Sequence, residues 1–275
     1  MKKIDNLILC VGAQKAGTTW LYSLLKSSPD VKFFKYKEVH YFDYVSSINK
    51  QLLNRSGRDV FKSLGESLHE VESERKDDVY SFLDRNLNDE WYVSVLSSES
   101  AVYSADFTPE YALLDENQLE KVWGVSENCK IIFIMRDPVE RTKSAMQYFY
   151  QNKGRDLGKL SEGELIHSAL SPIFLNRSLY EKTIHALDST FEDVLYLFYE
   201  EVMADKMGAI SKLEDFLNID LSHIDKTGLD KKVNKSDQYS FGEKFEKSLR
   251  YALSYTYDSV LHRFGYVPDE WKKEV

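Results

Sequence analysis

A short apolar run that ends in a glycine-containing turn is the feature that most constrains how this chain can fold. Leu7–Val11 is followed by the sequence GAQKAG at residues 12–17, and apolar residues at helical spacing begin after Thr18. A continuous apolar run is typical of a strand that is buried on both faces of a parallel sheet. The order strand, glycine turn, helix therefore predicts the opening of a βαβ unit.

Further apolar runs repeat this pattern along the chain. The clearest, Lys130–Met135, is followed by Arg136-Asp137-Pro138 and a helical pattern that continues to about Tyr150. Apolar strands that alternate with amphipathic helices predict an α/β fold with a central, mostly parallel sheet flanked by helices. The remaining candidates are strands at 193–198, 31–34 and 101–107, and helices at 202–218 and 242–264. Four tyrosines at helical spacings are expected to pack in the core: Tyr148, Tyr150, Tyr251 and Tyr255.

The chain shows no internal repeat and no linker rich in proline or glycine, so a single domain over residues 1–275 is predicted. Residues 50–98 differ from the rest, because they are rich in serine and charged residues with apolar positions at helical intervals. This stretch predicts a helical insertion or a cap on the acceptor side. A solvated insertion without a catalytic role is the alternative.

Composition limits the partners and the compartment. The chain carries 36 Lys and Arg against 45 Asp and Glu, a net charge of −9, which argues against a nucleic-acid partner but permits a local anion site. Cys10 and Cys129 lie beside apolar runs and are predicted to be buried free thiols, as in a reducing compartment. No apolar stretch approaches the roughly 20 residues of a membrane span. We therefore expect a cytoplasmic protein without a transmembrane segment.

The turn at residues 12–17 has the chemistry of a phosphate site. Its backbone N–H groups can point into one concavity, the following helix adds its positive N-terminal end, and Lys15 adds a full charge. Gly12 and Gly17 have the spacing of the nucleotide motif G-x-x-x-x-G-K-[ST], but Thr18 stands where that motif has lysine. A P-loop small-molecule kinase, for which Asp137 is a weak metal-ligand candidate, is therefore one alternative. A non-catalytic nucleotide-binding module is another.

Three segments resemble the sulfotransferases that use PAPS (3′-phosphoadenosine 5′-phosphosulfate). The sequence KAGTTWL at 15–21 resembles their 5′-phosphosulfate loop. Ile132–Arg136, with Ser144 eight residues later, resembles their 3′-phosphate element, and 194–200 resembles the strand whose tyrosine packs near adenine. The resemblance implies a P-loop-like three-layer α/β fold and transfer of a sulfuryl group from PAPS, releasing PAP, without a metal. The residues it assigns to the nucleotide are Lys15, Ala16, Gly17, Thr18, Thr19, Trp20, Arg136, Ser144 and Tyr199. For the C-terminal loop that closes on the 3′-phosphate it indicates Lys235, with Lys231 and Lys232 as alternatives in the same region.

A second set of segments is similar to the heparan-sulfate-type glycan branch of that family. The sequence KEVHYFD at 37–43 resembles that branch, as do 91–92, 108–111 and 176–180 in the same order. This similarity implies a carbohydrate acceptor, with a small molecule or a lipid as the alternative. One departure is Phe107, because members of that branch often carry lysine at this position.

The resemblance also implies which residues act in transfer. Lys15 would stabilise the bridging oxygen and the departing 5′-phosphate, and Glu38 would be the general base. His40 and Asp43 would assist in orienting the acceptor. In an extended segment residues 38 and 40 point the same way, so Glu38 and His40 are expected to face one cleft.

Overall fold

The computed structural model describes residues 2–35, 37–46, 88–224 and 239–272, except for the side chain of Tyr44. The described strands are β1 (Ile4–Gly12), β2 (Val31–Phe33), β3 (Tyr103–Phe107), β4 (Ser126–Met135) and β5 (Val194–Phe198). They form one sheet in the order β2-β3-β1-β4-β5, and every pairing is parallel. Helices flank this sheet, which confirms the predicted α/β fold.

The helices connect the strands and extend beyond the sheet at the C-terminal end. Their bounds are α1 (Thr18–Lys26), α2 (Tyr41–Val45), α3 (Asp89–Leu96), α4 (Glu116–Leu119), α5 (Val122–Val125), α6 (Pro138–Asn152), α7 (Glu162–Ala169), α8 (Pro172–Leu175), α9 (Tyr180–Thr190), α10 (Tyr199–Ala204), α11 (Lys206–Leu217), α12 (Glu243–Ala252) and α13 (Ser254–Phe264). Short 3₁₀ turns lie at Pro109–Leu113, Leu157–Lys159, Asn176–Ser178 and Asp269–Trp271.

Each of the two long helical patterns is divided into two helices. The pattern at 202–218 breaks at Asp205, whose side chain accepts a hydrogen bond from the backbone N–H of Gly208 and caps α11. An aspartate at such a position favours a new helix start over an uninterrupted helix. The pattern at 242–264 breaks at Leu253, between α12 and α13.

The core is densest where the apolar runs predicted strands. Leu7–Val11 of β1 are fully buried, and Ile131–Met135 of β4 are nearly so. In the paired register Leu9 of β1 lies beside Ile131 on one side and Asp106 of β3 on the other. The central position of β1 explains its uninterrupted apolar sequence, because both of its faces are covered.

Side-chain burial confirms one prediction and contradicts another. Cys10 and Cys129 are buried free thiols, as predicted. The core positions predicted for three tyrosines are wrong: Tyr148, Tyr251 and Tyr255 are 47%, 79% and 69% exposed. The buried face of α12 is formed by residues 245, 249 and 250, so Tyr251 points away from it.

Parallel strands place all their carboxyl ends at one edge of the sheet, and ligands of such folds bind outside that edge where the strand order reverses. Here the reversal is at β1, which has β3 on one side and β4 on the other. The segments that leave this edge begin at Ala13 after β1, Thr108 after β3, Arg136 after β4 and Tyr199 after β5.

The predicted insertion at 50–98 lies largely outside the described residues. Its final part is described and contains α3, where Trp91, Tyr92, Val93 and Leu96 are buried. Of the described helices, none combines the length and apolar character needed to cross a bilayer.

Candidate active site

The turn after β1 delivers the N-terminus of α1 to the sheet edge. Gly17 precedes α1 with φ 92°, and no side chain caps this helix end. The first N–H groups of such a helix have no intrahelical partner and are suited to an anion. Gly17 is also required sterically, because a Cβ there would lie 3.0 Å from Cδ2 of Tyr199. The turn and the Tyr199 ring are therefore in direct contact.

Lys15 provides a charge at this turn. Its Nζ lies 4.2 Å from the centroid of the Tyr148 ring, which places the exposed Tyr148 at the site although the sequence did not predict it there. Burial lowers the pKa of Lys15, and the nearby charges of Arg136 and Lys37 lower it further. Lys15, Lys37 and Arg136 therefore lie close together at this edge of the sheet, which favours binding of a multiply charged anion.

Arg136 joins the end of β4 to the turn after β1. Its Nη1 donates a hydrogen bond to the backbone carbonyl of Lys15 at 3.1 Å, and its guanidinium lies 4.8 Å from the centroid of the Tyr199 ring. The Tyr180 hydroxyl donates to the carbonyl of Arg136 at 2.7 Å. The structure thus brings together Lys15, Gly17, Arg136 and Tyr199, four of the residues predicted to bind nucleotide.

Asp137 links the end of β4 to the C-terminal helices α12 and α13. The buried Asp137 uses Oδ1 to accept from the N–H groups that begin α6, and Oδ2 to accept from Arg250 at 3.2 Å and Tyr257 at 3.1 Å. Its carboxylate is therefore occupied by protein donors, which does not favour the metal-ligand role considered for Asp137. Ser144 lies half-buried on the same helix.

Glu38 and His40 face each other, although not for the predicted reason. The segment is not extended, because Glu38 has φ 66° and His40 has φ 56°. The side chains still meet, with His40 Nε2 3.7 Å from Glu38 Oε2, and His40 Nδ1 lies 2.8 Å from Asp43 Oδ2. A left-handed backbone at both Glu38 and His40 costs free energy, and it persists only where the surrounding structure imposes it.

Asp106 of β3 belongs to a buried hydrogen-bond network that contacts this segment. Its buried carboxylate accepts hydrogen bonds from Thr108 at 2.6 Å, Tyr111 at 2.7 Å and Tyr92 at 3.1 Å. The same group accepts weakly from the backbone N–H of Val39, and the Tyr111 hydroxyl accepts from the N–H of Tyr41 at 2.9 Å. The segment containing Glu38 and His40 is therefore held at both sides by one buried network.

The electrostatics of the pair keep Glu38 ionised. Burial raises the pKa of Glu38, but the hydrogen bond to His40 and the charges of Lys37 and His40 outweigh it, so the net shift is downward. Burial lowers the pKa of His40, but Asp43 and Glu38 outweigh it and raise this pKa well above its usual value. At neutral pH the arrangement is a carboxylate beside an imidazolium.

Lys37 connects the start of α1 with the segment that contains Glu38 and His40. Its Nζ donates to Thr19 Oγ1 at 2.9 Å and lies 3.5 Å from Glu38 Oε1. Lys37 stood in the sequence motif that includes Glu38 but was assigned no role from sequence. Its position next to the predicted base was the available signal.

A second connection was also missed from sequence. Gln14 of the turn donates to Glu110 at 3.2 Å, and Arg177 binds the same carboxylate through Nε at 3.3 Å and Nη2 at 2.5 Å. The segments at 108–111 and 176–180 therefore support the turn after β1, and the Arg–carboxylate fork fixes their relative geometry.

Three further residues singled out in the sequence are Trp20 and Lys235, assigned to the nucleotide, and Phe107, the departure from lysine. Trp20 is 9% exposed and packs in the core, with no hydrogen-bond partner for its Nε1. Phe107 is buried and packs edge-to-face against Tyr22 and Phe33. Lys235 lies outside the described residues. Within those residues, no group of three or more His, Cys, Asp or Glu has the arrangement of a metal site.

Several solved structures share this fold. No curated protein sequence matches the chain. Among solved structures, it is similar to a sulfotransferase from Alicyclobacillus acidocaldarius, with 17% identity and a TM-score of 0.61 over 99% of this chain and 100% of that one. It is also similar to the sulfotransferase domain of the Synechococcus PCC 7002 olefin synthase, with 16% identity and a TM-score of 0.55 over 93% and 96% of the chains. A third similar structure is the sulfotransferase domain from the curacin biosynthetic pathway, with 17% identity and a TM-score of 0.53 over 92% and 98%.

These likenesses concern the fold, and the family is shown by a match to a sequence model. Residues 5–250 match the family model described as the sulfotransferase domain, which covers most of the chain and includes both halves of the site. The chain therefore belongs to the sulfotransferase family and is a transferase of sulfuryl groups.

Proposed function

We propose that the protein transfers the sulfuryl group of PAPS to an acceptor hydroxyl of a carbohydrate and releases PAP. The observation that carries this proposal is the contact between the two predicted phosphate elements: Arg136 donates to the carbonyl of Lys15 beside the uncapped start of α1. A nucleotide with phosphates at both its 3′ and 5′ positions needs two such anion sites close together.

The donor side would be held by this corner of the sheet edge. The N–H groups at the start of α1 and the charge of Lys15 suit the 5′-phosphosulfate. Arg136 and Ser144 suit the 3′-phosphate, a charge-assisted contact that would select PAPS over adenylates lacking that group. The Tyr199 ring, which already contacts Gly17 and Arg136, would pack near the adenine. Lys235 would add a cation at the 3′-phosphate.

Glu38 would act on the acceptor side. In the transfer step the acceptor hydroxyl loses its proton to Glu38 as its oxygen forms a bond to sulfur. The bond between sulfur and the bridging oxygen breaks, and its electron pair stays on the 5′-phosphate of PAP. Lys15 would stabilise the charge that develops on that oxygen. His40, fixed by Asp43, would orient the acceptor and hold Glu38 in its ionised form.

The similarity of residues 37–43 to the glycan branch supports a carbohydrate acceptor. The net charge of −9 weakly disfavours a long polymer that is already sulfated, so neutral or lightly charged glycans are the first candidates. Small-molecule and lipid hydroxyls form the second group for a screen with radiolabelled PAPS.

Calorimetry with PAP and transfer of label from PAPS test the proposal. We expect the protein to bind PAP without Mg²⁺. Lys15→Ala should lower transfer by about 10²–10³-fold. Glu38→Gln should lower it by about 10²–10⁴-fold while PAP affinity stays the same, because a general base acts in the transfer step.

The exposed Glu99 provides a matched control, since Glu99→Gln makes the same chemical change away from the site. Tight binding of ATP–Mg²⁺ with no binding of PAP would favour the kinase alternative. Binding of PAP with no transfer to any acceptor would favour a non-catalytic nucleotide-binding module.

A further inference from the structure

Lys37 has no role in the transfer proposed above. Its Nζ contacts Thr19 Oγ1 at 2.9 Å and Glu38 Oε1 at 3.5 Å. Thr19 lies in the first turn of α1, where the departing phosphate would bind, and Glu38 is the proposed base. A group that moves from that phosphate to an oxygen deprotonated by Glu38 travels between these two residues. The ammonium of Lys37 is therefore next to the path of transfer.

Phe107 contacts the same Tyr22 ring that Lys37 approaches, and it supplies no charge. Its ring is 1% exposed and packs 6.1 Å from the centroid of Tyr22. Nζ of Lys37 lies 5.9 Å from the centroid of the same Tyr22 ring, so Lys37 brings a charge to the neighbourhood that Phe107 fills with an apolar side chain.

The chemistry of the ammonium group suits a sulfuryl oxygen. An ammonium has three donors and no acceptor. Two of its N–H donors face Thr19 and Glu38, which leaves the third for a ligand oxygen. The Lys37 side chain is 23% exposed, so it is accessible but partly shielded from water, where a charge interacts more strongly with a ligand.

Electrostatics show that Lys37 acts on the same space as the predicted phosphate cations. Its charge, together with that of Arg136, contributes to the lowered pKa of Lys15 after the larger effect of burial. Three like charges near one another are unfavourable in the free protein. An anion that contacts all three would relieve this repulsion, and the sulfuryl group of PAPS carries one of the anion's negative charges beyond the 5′-phosphate.

We propose that Lys37 is a catalytic residue that binds the sulfuryl oxygens of PAPS between the departing phosphate and the acceptor. This role is distinct from that of Lys15, whose Nζ lies over the Tyr148 ring at the turn. The inference rests on the proposed function. It adds a residue that recognises the group being transferred and not the nucleotide that remains.

Binding measurements without acceptor separate these roles, because PAP lacks the sulfuryl group. For Lys37→Met and Lys37→Gln we expect PAPS affinity to fall by at least about tenfold, the value of one charged hydrogen bond. PAP affinity should change by less than about threefold, because its phosphates are held by other groups. Lys37→Arg should restore most of the PAPS affinity, since it returns a positive donor.

Lys26→Met is the matched control. Lys26 is exposed on α1, and its Nζ lies 5.3 Å from the same Tyr22 ring. The substitution removes the same charge from the same neighbourhood and should leave both affinities unchanged. Thermal unfolding of each variant establishes that the fold is kept.

The outcomes distinguish the inference from the function on which it rests. A wild-type protein that binds neither PAP nor PAPS overturns the proposed function itself. Wild-type binding of both, with equal losses for PAP and PAPS in Lys37→Met and Lys37→Gln or with no loss in either, overturns the Lys37 assignment alone.

Discussion

Arg136 Nη1 donates a hydrogen bond to the backbone carbonyl of Lys15 at 3.1 Å, and this bond ties the end of β4 to the turn after β1. Each segment carries one of the predicted phosphate sites. Their separation is therefore set by a direct contact and not by loops that move independently. Recognition of both ends of one nucleotide would depend on this contact.

Arg136→Ala is expected to weaken PAP binding by about 10–150-fold, the range for one or more charge-assisted hydrogen bonds. Binding of adenosine 5′-phosphate, which lacks the 3′-phosphate, should change much less. Calorimetry with both nucleotides measures the ratio. Arg263→Ala, which removes an arginine from a surface pair with Asp188, is the control and should affect neither. Equal losses for the two nucleotides would contradict a 3′-phosphate role.

Gly17→Ala is expected to cost about 1–3 kcal/mol of unfolding free energy from backbone strain alone. It should also displace the Tyr199 ring, which a Cβ would approach to 3.0 Å, and so weaken PAP binding by at least about tenfold. Gly154 is the matched control, because it has φ 60° with nothing within 4 Å of its added Cβ. Gly154→Ala should lower stability and leave PAP affinity intact. Comparable nucleotide affinities in the two variants would argue against the Tyr199 contact.

Asp106→Asn is expected to lower the unfolding free energy by about 2–4 kcal/mol, because buried hydroxyl donors lose a charged acceptor. Transfer should fall strongly, since the backbone of Glu38 and His40 loses its support, while PAP affinity stays within about threefold. Tyr92→Phe removes one of these donors and should cost only about 1 kcal/mol. Urea denaturation and transfer assays check both variants. A stable Asp106→Asn protein with full transfer activity would exclude this supporting role.

His40→Gln should reveal a pH-dependent contribution to stability. Burial lowers the pKa of His40, but the contacts with Asp43 and Glu38 outweigh it and raise the pKa well above its ordinary value of 6.5. A raised pKa in the folded state means that the stabilisation is fully present below the unfolded pKa and is lost as the pH rises through the folded pKa.

The difference in unfolding free energy between wild type and His40→Gln should therefore be about 1.5–3 kcal/mol at about pH 6, as for a charged hydrogen bond, and should shrink towards about pH 9. Denaturant titrations across this range give the difference. Asp43→Asn should flatten the dependence, because it removes the negative charge beside His40 Nδ1. A difference that grows with increasing pH would mean that His40 is neutral in the folded protein.

Local sequence was sufficient for the framework of the fold. Leu7–Val11 and Lys130–Met135 predicted buried strands, because a strand covered on both faces has an apolar sequence that can be read without its partners. The start of α1 at Thr18 was predicted for a similar reason, since the preceding glycine and the helical spacing are both local. The exposure of Tyr251 and Tyr255 was not predicted, because tyrosine occurs on both buried and exposed faces of helices.

In the candidate site, too, some features were determined by the sequence and others only by the tertiary structure. The sequence determined which residues carry the chemistry: a lysine in a glycine turn, an arginine at the end of a strand, and a glutamate beside a histidine. Tertiary structure decided how they meet. Asp106, about seventy positions after Glu38, lies in the buried network that contacts the left-handed segment of Glu38 and His40, and β4 carries Arg136 to the Lys15 carbonyl. These contacts join segments distant in the chain, and their geometry depends on packing that no local pattern encodes.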